Sequence, residues 1–191
     1  TLSQPGVLAG DSDTCMSFGG GGCVRVPNLP SLNTPAFSIE CWAQYQGPFP
    51  VPSGSYYTPV SSAAWGPDNS GYLIYACPNG LWETWLGEKS GSWCFNSSGV
   101  AVAPNAWTHL VSTFDGTYSR IFVNGTLAAT TPAGVGMFVQ NTTTPLSIGQ
   151  NSAASGYDFI GPIDEVVFYQ SALSPDRVLA HYQLATSGTN S

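Results

Sequence analysis

The sequence predicts an all-β protein, a two-sheet β-sandwich with one short helix near its C-terminus. Three observations predict it. About a dozen short runs read as strands, several of them alternating apolar and polar residues at period two. The 22 glycines and 15 prolines, about a fifth of 191 residues, join a 13% aromatic content, which describes strands linked by tight turns. Two Asn-Gly pairs, Asn79-Gly80 and Asn124-Gly125, sit between such runs and mark hairpins.

The elements follow in order. Met16 to Phe18 and Val24 to Val26 alternate around four glycines, a strand–turn–strand unit. Phe37 to Ala43 is a strand with Phe37, Ile39, Cys41 and Ala43 on one face and Ser38, Glu40, Trp42 and Gln44 on the other. Residues 46–71, rich in proline and glycine, read as a long irregular loop, a kind that is usually functional or partly disordered. Tyr72 to Ala76 and Leu81 to Leu86 form a hairpin, with Trp82, Thr84 and Leu86 opposite Glu83 and Trp85. Trp93 to Phe95 starts a further strand, and Trp107 to Phe114 is another. Ser119 to Val123 and Thr126 to Thr130 flank Asn124-Gly125, the signal of a two-residue type I′ turn. Leu146 to Gly149 and Ile163 to Tyr169 complete the strands. Ser174 as N-cap, Pro175 in the first turn and Asp176 at the positive end of the dipole begin a helix, on which Val178 and Tyr182 share a face. The chain reads as one domain over residues 1–185, with a tail at 186–191.

Composition limits function. Four basic against eleven acidic residues, a net charge of −7, offer no footprint for nucleic acid or an anionic membrane. No apolar run reaches the ~18 residues of a membrane span. The five cysteines contain no Cys-x-x-Cys, and with two histidines they make a poor zinc set. A hairpin around Gly19 to Gly22 would bring Cys15 and Cys23 together as a disulfide, and Cys77–Cys94 is a second candidate pair. Cys41, inside an apolar strand, reads as a buried free thiol. Low charge, abundant Ser/Thr and these cysteines point to a secreted, extracellular protein. Sequons stand at Asn96, Asn124 and Asn141, with Asn124 better explained as a turn residue.

Met16-Ser17-Phe18-x4-Cys23-Val24-x-Val26-Pro27, Phe37-Ser38-Ile39-Glu40-x-Trp42, Trp107-Thr108-His109-Leu110-Val111, Ile121-x-Val123-Asn124-Gly125, Leu146-Ser147-Ile148-Gly149, Gly161-x-Ile163-Asp164-Glu165-Val166 and Ala172-Leu173-Ser174 follow one another over nearly the whole chain. In that order and spacing they resemble the LamG-like domains of the concanavalin A-like lectin/glucanase superfamily. The resemblance implies an antiparallel jelly-roll sandwich, often a sugar-binding module beside a catalytic domain, in a family that also holds adhesion modules. It implies that Trp42 and Trp107 occupy core positions. It also suggests a structural calcium ion held by the aspartate of the Ile-Asp-Glu-Val motif, Asp164, with Asp11 and Asp13 as further oxygen donors. The four cysteines other than Cys41 and the 46–71 insert depart from the family pattern.

Three chemistries compete. His109 lies on a strand, where packing or a hydrogen bond is its expected role rather than a Ser-His-Asp triad, and His181, on the helix, is expected at the surface or an interface. A glycan-cleaving enzyme needs paired carboxylates. Glu40, Glu83 and Glu165 would have to gather on one sheet face, and the adjacent pair Asp164-Glu165 should point to opposite faces of a strand. A carbohydrate-binding module needs exposed rings flanked by hydrogen-bonding groups. With Trp82 expected inside, the surplus is Tyr56, Tyr57, Trp65, Trp85 and Trp93, alongside Tyr118 and Tyr157, with Glu83 on the same strand face as Trp85. Non-catalytic binding of a poly- or oligosaccharide is the expected function. A hydrolase or lyase and an adhesion module with a protein partner are the alternatives.

Overall fold

A computed structural model describes residues 4–8 and 12–187 of the chain. Its strands are β1 (Gln4–Pro5), β2 (Thr14–Gly19), β3 (Val24–Val26), β4 (Phe37–Gln44), β5 (Val60–Ala64), β6 (Ser70–Ala76), β7 (Leu81–Gly87), β8 (Trp93–Ala101), β9 (Trp107–Phe114), β10 (Tyr118–Val123), β11 (Thr126–Pro132), β12 (Leu146–Ile148) and β13 (Ile160–Tyr169). One helix, α1 (Pro175–Thr186), follows. A seven-stranded sheet, ordered β1-β2-β13-β4-β9-β10-β11, packs on a six-stranded sheet ordered β3-β12-β5-β6-β7-β8. The pairings within both sheets are antiparallel, so the fold is the expected jelly-roll sandwich.

Alternation places the core between the sheets. Phe37, Ile39, Cys41 and Ala43 of β4 meet Trp82 and Leu86 of β7, with Leu110, Phe114 and Ile121 from neighbouring strands. A hydrogen bond of 2.6 Å between the hydroxyls of Thr84 (β7) and Ser112 (β9) ties the two sheets through this core. Asn96 does the same near the β8 end, its amide donating to the Ser119 carbonyl at 2.9 Å. That sequon asparagine is buried, as is Asn141, which bonds Ser62 and Thr144. At the third sequon, Asn124 has φ 50° and Gly125 φ 75°, the left-handed pair of a type I′ turn.

Helix α1 lies on the outer face of the seven-stranded sheet. Ser174 caps it by accepting from the Arg177 amide. Val178 packs against Val111 and Phe122 with Leu173 alongside, and Tyr182 stacks on Trp42 with ring centroids 5.7 Å apart. Trp42 is therefore buried beneath the helix, not between the sheets.

Four expectations change. β2 and β3 belong to different sheets, so the glycine run is a corner and not a hairpin. Gly20 and Gly21, at φ 82° and 91°, make that corner, and it leaves Cys15 and Cys23 as free thiols. Cys15 instead donates to the Pro5 carbonyl at 3.3 Å. Cys77 and Cys94 are also free, because they lie on opposite sides of the six-stranded sheet: Cys94 faces the inter-sheet core and Cys77 the outer aromatic cluster. Within the 46–71 segment, β5 forms a fully paired inner strand. Its sequence, Val-Ser-Ser-Ala-Ala, hides the period-two pattern because both faces are covered. The Ser61 hydroxyl donates to the Gln150 carbonyl, and the Ser152 hydroxyl to that of Ala63. Finally, α1 extends to Thr186, and the remainder of the expected tail, from 188 on, lies outside the described residues, as does Asp11.

Candidate functional site

Trp85 and Trp93 leave the inter-sheet core because β7 and β8 alternate. Trp82 and Leu86 point in, so Glu83 and Trp85 point out; Cys94 points in, so Trp93 and Phe95 point out. The loops complete the surface. Tyr56 packs against Tyr75 and Trp85, at centroid distances of 5.0 and 5.8 Å. Tyr157 flanks Tyr56 at 5.7 Å. Trp65 stands edge-on to Trp93 at 4.8 Å, and Trp93 is 6.2 Å from Trp85. The result is a continuous row across the outer face of the six-stranded sheet: Tyr157, Tyr56, Trp85, Trp93, Trp65. Phe95 lies beside Trp85 at 6.1 Å. Trp65 is 43% exposed and Phe95 61%, so the row opens to solvent at that end.

Glu83 anchors the row. Its Oε2 accepts from the Trp85 indole N–H at 2.9 Å, and its Oε1 from the Asn79 side-chain amide at 2.9 Å. Asn79 is itself set by its turn, where its Oδ1 accepts from the Leu81 amide. The turn thus fixes a carboxylate, and the carboxylate fixes the plane of an indole. Burial, then the nearby Glu83 charge, pushes the Cys77 thiol up, so it stays neutral under the rings. Burial first, with Cys77, Glu83 and Tyr157 adding to it, raises Tyr56 as well.

Of the six residues expected to bind sugar, Tyr56, Trp65, Trp85, Trp93 and Glu83 meet here. Tyr57 does not: its ring packs edge-on to Tyr45 at 5.1 Å, against the main core. Phe95 joins the site unanticipated, although the inward Cys94 between Trp93 and Phe95 was the signal for it. Trp107 is only half-buried, on the outer face of the other sheet, and is not a core residue.

The candidate catalytic carboxylates do not gather. Glu83 faces outward from the six-stranded sheet, while Glu40 and Glu165 belong to the seven-stranded one. Glu40 is sealed under α1, where its Oε1 meets His109 Nε2 at 2.6 Å and its Oε2 meets His181 Nδ1 at 3.0 Å. Burial alone would raise Glu40, but hydrogen bonds and charge from His109 and His181 more than offset it and hold its carboxyl below the usual range. Of the two settings expected for His181, surface or interface, it takes the second, as a docking residue of the helix.

A second polar cluster lies beside it. Asp13, Asp164 and Glu165 place one carboxylate oxygen each within 4.8 Å of one another. Adjacent residues on a regular strand could not do this. A β-bulge between Asp164 and Val167, with Glu165 at φ 49°, breaks the alternation. For the same reason Asp164 does not share a face with Val166 and Phe168: it stands opposite the outward Trp42, while those two pack on the core. Asp164 accepts from the Val7 amide at 2.8 Å and the Glu165 amide at 3.1 Å. A Cβ on Gly6 would lie 2.9 Å from Asp164 Oδ2 and 3.0 Å from the Asp13 carbonyl oxygen, so a larger residue there would have to displace the carboxylate.

A family model, Laminin_G_3, described as the concanavalin A-like lectin/glucanases superfamily, matches residues 18–179. No curated protein sequence matches the chain. Among solved structures, domain 4 of AbnA, a GH43 extracellular arabinanase from Geobacillus stearothermophilus, in complex with arabinotriose, is similar at 20% identity. The match has a TM-score of 0.66 and covers 97% of this chain and 87% of that one. The CBM40 of the Ruminococcus gnavus IT-sialidase, bound to α2,3-sialyllactose, matches at 15% identity and TM-score 0.68, over 93% of this chain and 100% of its own. The heptameric SAP-like pentraxin of Limulus polyphemus matches at 15% identity and TM-score 0.64, over 92% and 83%. At such identities the likeness is one of fold.

Proposed function

The chain belongs to the concanavalin A-like lectin/glucanases superfamily, and from that premise we propose that it is a non-catalytic module that binds a poly- or oligosaccharide on the outer face of its six-stranded sheet. The observation that carries this reading is the unbroken aromatic row from Tyr157 to Trp65, open at Trp65 and Phe95. A pyranose or furanose presents C–H groups that pack on such rings, and a row of rings suits consecutive sugars of a chain. Glu83, itself buried, holds the plane of Trp85. The AbnA domain with arabinotriose and the CBM40 with sialyllactose are consistent with a sugar ligand on this fold. An extracellular setting, with a catalytic domain elsewhere in the parent chain as partner, fits this role.

Glycan arrays and affinity electrophoresis against plant, fungal and bacterial polysaccharides test the proposal. Binding is expected for the native protein and loss of it for Trp65→Ala and Trp93→Ala. Silence across all the glycans, or binding that both variants retain, would overturn it.

The acidic trio fits a calcium ion. Two oxygens on one Ca2+ lie at most about 5 Å apart, and Asp13, Asp164 and Glu165 meet that limit with hard oxygen donors. The ion would supply charge that offsets three clustered carboxylates and would join residue 13 to the bulge of β13. Asp11 is the remaining candidate ligand, next in the same segment.

A further inference from the structure

Among the described residues, only part of the outer face of the seven-stranded sheet is covered. Helix α1 occupies the end around Trp42, His109 and Phe122. Toward the other end lies a groove of about 240 Å³, whose walls include Gln4, Ser17, Gln44, Gln46, Trp107 and Pro162. The strand register explains its floor. Ser17 of β2 stands opposite Pro162 of β13, and Gln44 of β4 opposite Trp107 of β9, so outward side chains of four strands form the bottom.

The chemistry of this groove differs from that of the aromatic row. It has one half-buried indole and three primary amides, and no charged side chain among the described residues lines it. Gln46 Nε2 donates to Gln44 Oε1 at 2.7 Å. That bond locks the two amides side by side and leaves the Gln44 NH2 as donor and the Gln46 carbonyl as acceptor. A donor next to an acceptor matches two neighbouring hydroxyls, each of which can give and take one hydrogen bond. Trp107 adds a face for C–H groups. Drug-sized ligands occupy roughly 300–1,000 Å³; the smaller volume here suits about one sugar ring. Without a cation in the walls, and with a net charge of −7, an anionic ligand would have no partner.

We propose that this groove is a second binding site, which takes one neutral monosaccharide unit carrying a vicinal diol. It is independent of the aromatic row, on the opposite sheet, so one module could hold two glycan chains at once and gain by avidity.

Nitrogen-15 NMR of the full chain separates the two sites. The probes are D-glucose, D-galactose, D-xylose, L-arabinose and N-acetyl-D-glucosamine, titrated singly. Saturable shifts of the Gln44 and Gln46 side-chain amides and the Trp107 indole are expected with at least one sugar. Gln44→Ala and Gln46→Ala should weaken that sugar about tenfold or more, with dispersed spectra showing that both variants are folded. Trp65→Ala and Trp93→Ala should leave these shifts unchanged. Absence of saturable shifts for all five sugars, or equal affinity in the two glutamine variants, would overturn the proposal, whatever the aromatic row does.

Discussion

The two outer faces of the sandwich start from the same materials and end differently. Each carries aromatic residues and a buried glutamate on an outward-facing register. On the seven-stranded sheet, Trp42 is stacked under Tyr182 and Glu40 is gripped by His109 and His181, so the helix has consumed that part of the face. On the six-stranded sheet, no helix arrives among the described residues. Glu83 binds Asn79, Trp85 and the Cys77 thiol of its own face, and the rings stay within reach of solvent. An aromatic row on a strand face is therefore not an accessible surface by composition. It becomes one where no described element covers it.

The largest effect that would break this contrast is at Glu40. Glu40→Ala leaves His109 buried without its carboxylate partner, and loss of one member of a buried pair costs about 3 kcal/mol. Urea denaturation checks this. The matching change on the open face, Glu83→Gln, should cost about 1 kcal/mol, because an amide oxygen can still accept from Trp85. Equal losses would mean that both faces are structural.

Calcium comes next. At a hundredfold excess over its Kd the ion would add about 2.7 kcal/mol, seen as a rise in melting temperature that chelation reverses and that Asp164→Asn abolishes. The carbohydrate titration curve should shift little, because the trio belongs to the sheet opposite the aromatic row. No calcium-dependent change in melting would remove the ion from the account.

Removal of one ring from the open row is a smaller change in energy but a sharper one in function. Trp65→Ala should weaken polysaccharide retardation about tenfold, near 1.4 kcal/mol, and alter stability by under about 1 kcal/mol, since Trp65 is 43% exposed. Tyr182→Ala on the covered face should do the reverse, with destabilisation and unchanged binding.

The smallest effect is one of acid. The folded-state pKa of Glu40 lies below its ordinary value of 4.5. Its contribution to stability is thus complete above that value and fades as pH falls through the folded pKa. Chemical denaturation followed from pH 6 downward should show this acid limb, and Glu40→Gln should flatten it.

Much of the fold is legible from residues alone. Trp107–Phe114, stopped by Asp115-Gly116, is β9 end for end, and Asn124-Gly125 closes the β10–β11 hairpin as its left-handed angles require. Ser174-Pro175-Asp176 starts the helix because capping is local. β5 escaped notice because a strand buried on both faces has no alternation to read, and its serines hide their hydroxyls in bonds to a loop nearly ninety residues away. The site was readable in the same measure. Trp85 and Trp93 are outward by parity with Trp82 and Cys94, whereas Tyr56 and Tyr57 sit in a loop, where parity has no force, and only packing sent one out and the other in.

What this sequence determines by itself is whatever depends on neighbours along the chain: strand faces, turn chirality, the helix cap and the identity of the aromatic surplus. Only the tertiary structure decides which outer face is covered, which sheet receives β3 after the glycine corner, and how a bulge at Glu165 turns two adjacent acids toward one point. The physical reason is that side-chain parity propagates only while a strand stays regular. A bulge, a corner or a docking helix resets it, and those events are settled by contacts between residues far apart in sequence.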